Sequence, residues 1–204
     1  MVGTFLRRFL TSLQSPQIEL TLLHLEMARP LTEMFPEVPP PDSPLTLILL
    51  AARWLSHDLH GEEMPRIAAD LLEAGFDTPA LVRLAGETEI HSTADAKPLV
   101  TQVFRELGIP DTFSETHAKL IATRQIAREV IAGTRDPYRA ARHLEFILWS
   151  RKPATDDLVR LFDIRDEFKW DAEERRSLPA LLADQLQTFA RLATLTDEQI
   201  ASES

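Results

Sequence analysis

Apolar residues along this chain recur every three to four positions, which is the spacing of one face of an α-helix. No useful length alternates apolar and polar residues with the period of two that a half-buried strand shows. The pattern predicts an all-α protein in the form of a helical bundle. Two of the predicted inward stripes are Leu120, Ile126, Ala127, Val130 and Ile131, and Ala140, Ala141, Leu144, Ile147 and Leu148.

Two stretches of the chain repeat each other. Residues 61–72 and 133–144 both fit Gly-x-x-x-Pro-x-x-Ala-Ala-x-x-Leu, and Leu81-Val-Arg-Leu recurs from Leu158 after five extra residues. A Gly that closes one helix and a Pro in the first turn of the next mark a tight corner. We therefore expect two related helical hairpins, although chance recurrence of common helix-boundary residues remains the alternative. The predicted hairpins cover about 45–87 and about 117–163.

Proline content predicts the domain organisation. Residues 36–44 contain five prolines and should form a stiff, extended linker. This linker would separate an N-terminal helical arm (1–35) from the helical bundle (45–195). The arm carries an apolar stripe beside Arg7 and Arg8, and it could fold back or exchange with a second subunit. A flexible tail is predicted over 196–204.

The helix that follows the linker should begin at Ser43-Pro44 and end near His60. At 100° per residue, Asp58 falls among the apolar residues of that helix, where it would cap the next corner or pair with an arginine. The apolar face comprises Leu47, Leu50, Ala51, Trp54, Leu55 and Leu59, and the opposite side comprises Arg53, Ser56, His57 and His60.

Several helix-boundary motifs resemble those of small all-helical bacterial proteins of unknown function. The matching segments are Ala52-Arg-Trp-Leu, Pro65-x-x-Ala-Ala-Asp, and Asp77-x-Pro-Ala-Leu-Val-Arg-Leu-Ala-Gly. The resemblance covers roughly residues 45–165 and implies a helical fold in a bacterial, cytosolic setting. It carries over no catalytic residue.

The net charge and the composition limit the classes of partner, chemistry and location that the sequence predicts. The net charge of −10 disfavours binding to a phosphate backbone and suits either a basic protein partner or simple solubility. There is no cysteine, which excludes disulfides and thiolate chemistry. The longest apolar run, Leu45 to Ala52, is interrupted by Thr46 and is far too short for a membrane span. Without a predicted signal peptide, we expect a cytoplasmic protein and no membrane association.

The best candidate for metal chemistry is His57 with His60, because one helical turn would separate them and Glu62 or Glu63 could follow. Two solvated histidines near a helix end are the alternative. His143 replaces the leucine of the first repeat, so we expect a buried, hydrogen-bonded histidine rather than a catalytic base.

Arginines recur through residues 124–142, where they could clamp an anion or pair with neighbouring acids. The acidic stretch 163–174 could meet a basic partner or form a solvated loop. Phe146 and Trp149 lie beside the inward stripe of their helix and could mark an interface.

Phosphate-loop, nucleophile-elbow and dinucleotide-binding motifs are absent from the sequence. We therefore assign no catalytic, cofactor-binding or metal-binding residue. The predicted function is a non-enzymatic protein–protein interaction module, with self-association through the arm as one route. The alternative is a metal- or small-ligand-dependent enzyme that uses the His57/His60 region.

Overall fold

The computed structural model describes residues 30–109, 114–148, 156–167 and 178–202, which form ten α-helices and no strand. The predicted all-α class is therefore confirmed. Most of the predicted arm lies outside the described residues. The helices are α1 (Leu31–Met34), α2 (Leu47–Leu55), α3 (Met64–Glu73), α4 (Pro79–Ala85), α5 (Thr93–Glu106), α6 (Glu115–Ile131), α7 (Pro137–Leu148), α8 (Asp156–Glu167), α9 (Leu178–Ala193) and α10 (Asp197–Ser202).

Contacts along the chain divide it into two compact units. The first, here called the α7–α9 unit, contains the described residues of Met1–Pro40, Ile126–Phe146 and Thr155–Thr194. The second, here called the α2–α5 unit, contains those of Pro41–Gln125, Ile147–Ala154 and Leu195–Ser204.

The α2–α5 unit is built around one apolar core that α2, α3, α4 and α5 share. Apolar side chains at helical spacing supply it, as the sequence pattern predicts. Leu45 and Leu47, at the entrance to α2, are partly buried against its edge. The buried members are Leu50, Trp54, Leu59, Met64, Ile67, Ala68, Leu71, Ala80, Leu81, Leu84, Ile90, Ala96, Val100 and Val103.

Among the described residues, four helices each end in a corner of the same left-handed type. Gly75, Gly108 and Gly133 follow α3, α5 and α6 and have φ values of +93°, +72° and +74°. In each corner the glycine N–H bonds to the carbonyl three residues back, and the next N–H reaches five residues back, which closes the helix. His57 holds the same position after α2, with φ of +62°.

This His57 corner makes the predicted length of α2 wrong. The Asp58 N–H bonds to the Arg53 carbonyl at 2.9 Å, so the chain turns away two residues after Leu55 instead of continuing to His60. A non-glycine residue with positive φ is uncommon, which is why the sequence did not signal this end.

The predicted division of α2 into an apolar and a polar side is also wrong in part. Ser56, assigned to the polar side, is fully buried, and its hydroxyl donates to the Arg53 carbonyl at 3.2 Å. Leu55, assigned to the apolar side, is exposed together with Ile48. Because Leu49 and Ala52 are buried as well, α2 is covered on more than one side.

The two glycines of the repeat motif have different roles. Gly133 closes α6 in the left-handed conformation. Gly61 is not among the residues with positive φ, and it lies so close to Ser92 that an added Cβ would stand 2.2 Å from the Ser92 carbonyl oxygen. The two prolines do agree, since Pro65 and Pro137 both lie in the first turn of a helix. The repeat therefore remains a prediction.

In the α7–α9 unit, α8 and α9 pack as an antiparallel pair. Asp157 near the start of α8 pairs with Arg191 near the end of α9, with the Arg191 Nε and Asp157 Oδ1 atoms 2.6 Å apart. Arg160, one turn along α8, pairs with Asp184, about two turns back along α9. The buried residues of the two helices are Leu158, Leu161, Ile164, Leu181, Leu182, Gln185, Leu186, Thr188, Phe189, Ala190, Leu192 and Ala193.

The C-terminal segment, predicted to be a flexible tail, contains α10. Thr196 caps this helix, because its hydroxyl oxygen accepts from the Gln199 N–H at 3.2 Å and its own N–H donates to the Gln199 side chain at 2.8 Å. Ile200 is buried within the helix, which gives the segment a hydrophobic anchor that its polar sequence hides.

Candidate functional site

A cleft of about 530 Å³ opens between α2 and α3 in the α2–α5 unit. Its volume lies in the range of small-ligand sites and of grooves that receive a few side chains. The chain that enters α2 forms one side, and a single face of α3 forms the other. The lining residues are Pro44, Leu45, Leu50, Arg53, Leu59, Glu63, Arg66, Ile67, Asp70, Glu73 and Ala74.

One continuous face of α3 lines the cleft because its residues follow the helical period. Glu63 lies four positions before Ile67, Arg66 four before Asp70, and Asp70 four before Ala74, so these side chains lie along one side of the helix. The opposite face of α3 enters the core of the unit. The cleft is therefore supported by a helix whose position the core fixes.

The floor of the cleft is the edge of the hydrophobic core. Leu50, Leu59 and Ile67 are at least 95% buried and belong to both the core and the cleft. Leu45 is half-buried at the entrance. Since those three side chains are already nearly buried, the apolar surface that a ligand could cover lies mainly on the more exposed lining residues Pro44, Leu45 and Ala74.

Arg53 lies on the rim and is held by the corner that ends α2. Its Nε is 2.6 Å from Oδ2 of Asp58, whose side chain is only 3% exposed. The same two residues are joined through their backbones, as described above. Of the two roles predicted for Asp58, capping the corner or pairing with an arginine, the pair with Arg53 is present.

The remaining rim charges differ in how firmly they are held. Glu63 accepts the His60 N–H at 2.8 Å and so fixes the start of α3. Arg66 and Asp70 are 3.4 Å apart on an exposed surface, where such a pair stabilises by about 1 kcal/mol or less. Two carboxylates, Asp70 and Glu73, thus lie at the C-terminal end of α3, which has no basic residue in its last turn.

Two of the rim side chains are already engaged in contacts within the protein. The Arg53 and Glu63 side chains already make structural contacts within the corner, so neither is positioned as a free acid or base. What the cleft offers to a ligand is an apolar floor and a charged rim.

The structure does not bring His57 and His60 together on one helical face. His57 lies in the left-handed corner after α2, and His60 stands at the N-cap of the short 3₁₀ helix before α3. Neither lines the cleft. Within the part of the chain that the structure describes, no three metal-binding side chains are grouped around one point.

The arginines of 124–142 mostly hold the protein's own acids and carbonyls. Arg124 contacts the Leu195 carbonyl at 3.0 Å and the Asp197 carboxylate at 2.7 Å. Arg128 donates to the Ala193 carbonyl at 3.1 Å, at the negative end of the α9 dipole. Internal pairing, rather than an anion clamp, is what these contacts represent.

His143 is half-buried and lies beside the Arg135 guanidinium, which also pairs with Glu129 at 2.9 Å. Since a guanidinium can only donate, the His143 Nδ1 accepts. The predicted hydrogen bond of this histidine is present, although its burial is only partial.

Comparison of the chain with family models, curated proteins and solved structures finds no match. Separately, none of the described helices has both the length and the apolar character that crossing a bilayer requires.

The cleft was not predicted from the sequence. The repeat motif drew attention to Ala68 and Ala69, of which Ala68 is fully buried in the core, and not to the face of α3 that carries Arg66, Asp70 and Glu73. The spacing of those charges around Ile67 was the available signal.

Phe146 was expected beside the inward stripe of α7 and is 65% exposed. Trp149 and residues 168–174 lie outside the described residues.

Proposed function

We propose that this protein is a non-enzymatic module that binds a segment of another protein in the α2–α3 cleft. The observation that carries the proposal is the combination of a core-supported apolar floor with rim side chains that already make structural contacts. A pre-formed floor lowers the cost of ordering the site when a partner binds.

A random peptide library tests the proposal. Peptides are selected on the full chain, and their binding is then measured on two variants of the cleft and two of other surfaces. Leu45→Glu introduces a charge at the entrance of the cleft, and Ala74→Trp fills its opening. Val82→Glu and Ala94→Trp make the same changes at exposed positions on α4 and α5, away from the cleft.

We expect the selected peptides to lose binding to both cleft variants and to keep it with both controls. Circular dichroism of each variant first establishes that the helices form. Peptides that bind all four variants equally, or no selectable peptide at all, would count against the cleft as a binding site.

Self-association through the N-terminal arm is the second part of the proposal, and it rests on the apolar stripe near Arg7 and Arg8. Deleting residues 1–29 tests it and leaves Asp42, which is bound to Gln125, in place. Light scattering should show a smaller assembly for the truncated chain than for the full chain. Equal masses would remove the arm from the proposal.

The setting that we propose is the cytoplasm, on the grounds of a cysteine-free sequence. The acidic net charge supports a protein partner over a nucleic acid.

A further inference from the structure

We infer that the α2–α3 cleft takes a peptide segment in which a Lys or Arg stands two or three positions from a large apolar residue. This inference rests on the proposed function and adds the chemistry of the partner.

The two ends of α3 differ in charge. At the N-terminal end, the charges of Arg53 and Arg66 are balanced by Glu63 and by Asp58, which pairs with Arg53, so the rim is close to neutral. At the C-terminal end, Asp70 and Glu73 are both acidic and Glu73 is exposed. The helix dipole adds a partial negative charge at that end. A cation is therefore favoured at the C-terminal end of the cleft.

The existing partner of Asp70 can be displaced. Arg66 is mostly exposed, its side chain being 72% accessible, and it approaches Asp70 only to 3.4 Å. Such an exposed pair stabilises weakly because water and salt screen it. An incoming guanidinium or ammonium group could bind Asp70 and Glu73 together without breaking a buried contact.

The distance between Ile67 and Glu73 along α3 determines how far apart the apolar residue and the cation must be in the bound peptide. Ile67 on the floor and Glu73 are separated by about 9 Å along the axis of α3. An extended peptide covers about 3.3 Å per residue. A side chain over Ile67 and a cation over Glu73 then belong to residues two or three positions apart.

Three fluorescein-labelled peptides of nine residues test the inference by anisotropy with the full chain. The first has two leucines followed two positions later by two arginines, with glycine and serine elsewhere. The second has glutamates in place of the arginines, and the third has serines in place of the leucines. We expect the first to bind at least about tenfold more tightly than either of the others.

Variants at the rim locate the cation. Glu73→Gln should weaken binding of the leucine–arginine peptide, and Glu73→Lys should weaken it further. Glu62→Gln, a matched change at an exposed residue that does not line the cleft, should leave the affinity unchanged. Raising NaCl should weaken binding to the unchanged chain more than to Glu73→Gln.

The outcomes separate the inference from the function on which it rests. Equal binding of the arginine and glutamate peptides, binding of neither, or an unaltered affinity of Glu73→Lys overturns the inference. If library peptides still depend on the cleft but lack basic residues, the proposed function stands and only the partner chemistry is wrong. A dimer that Glu73→Lys dissociates would instead identify a second copy of the chain as the occupant and overturn the inference.

Discussion

The side-chain amide of Gln125 holds the backbone of Asp42 at two points. The Asp42 N–H donates to the Gln125 Oε1 at 3.0 Å, and the Gln125 Nε2 donates to the Asp42 carbonyl at 3.1 Å. Gln125 lies on α6 and is 95% buried, whereas Asp42 is an exposed residue within the proline-rich segment 36–44. A segment that we predicted from its prolines as a linker is thus fastened to a helix 83 positions away.

Gln125→Met should destabilise the protein by about 1–2 kcal/mol, because two hydrogen bonds are lost while side-chain volume is kept. Urea unfolding followed by circular dichroism measures the change in the free energy of unfolding. A variant as stable as the unchanged protein would show that Gln125 does not fasten the segment.

Gln185→Met should stabilise the protein, in contrast to Gln125→Met. Gln185 is fully buried on α9, and neither polar atom of its amide has a hydrogen-bond partner among the described residues. Leaving such groups unsatisfied costs about 1–3 kcal/mol, so methionine should stabilise the protein by a similar amount. Gln125→Met, measured in the same urea unfolding experiment, is the matched control, because it makes the same substitution at a buried glutamine whose amide is hydrogen-bonded. Loss of stability at both positions would mean that Gln185 has a partner, such as a bound water.

His57→Gly should stabilise the protein by about 0.5–1 kcal/mol. A left-handed conformation costs a non-glycine residue about 1–2 kcal/mol, and the entropy that glycine loses on folding returns part of this gain. His60→Gly is the control, since φ at His60 is −96° and glycine should only destabilise there. Stabilisation of both variants, or of neither, would contradict the assignment of strain to His57.

Glu106 makes stability depend on pH. The hydrogen bond from the Ala80 N–H, 2.8 Å long, is the main cause that lowers the pKa of Glu106 below its usual 4.5, with smaller contributions from Gln102, Thr78 and Arg83. Because the folded state favours the ionised form, this contribution is present above about pH 4.5 and is lost as the pH falls through the lower folded value.

Glu106→Gln tests that dependence, because a glutamine can still accept from Ala80 but does not titrate. The stability of the unchanged protein relative to this variant should decrease between about pH 6 and about pH 3. Urea midpoints across this range provide the measurement. Two parallel pH curves would show that Glu106 does not contribute in this way.

Local sequence signals predicted several helix boundaries well. A glycine after a run at helical spacing indicates a helix end, and Gly75 and Gly108 take the left-handed conformation after α3 and α5. A Thr-Pro pair indicates a helix start, and the Thr78 hydroxyl oxygen accepts the Leu81 N–H at 3.2 Å in the first turn of α4. These outcomes depend on residues within a few positions of one another, so one sequence is sufficient to find them.

The inward stripes of α6 and α7 were also determined by the sequence alone. Ala140, Ala141 and Leu144 are fully buried, as their period requires. The prediction that His57 and His60 lie on one helical face was wrong, because it did not follow from a local preference of the chain. Their shared face existed only if α2 continued to His60, and the end of α2 depends on a strained His57 that no local preference favours.

Only the tertiary structure decided the contacts that define the candidate site. Sequence places Asp70 and Glu73 on one face of α3, but it does not show that Leu45 and Leu50 come to lie across from them. It likewise cannot pair Gln125 with Asp42. Helix periodicity is a local property of the chain, whereas the partner of each helix face depends on how distant segments pack, and one sequence without relatives contains no direct record of that packing.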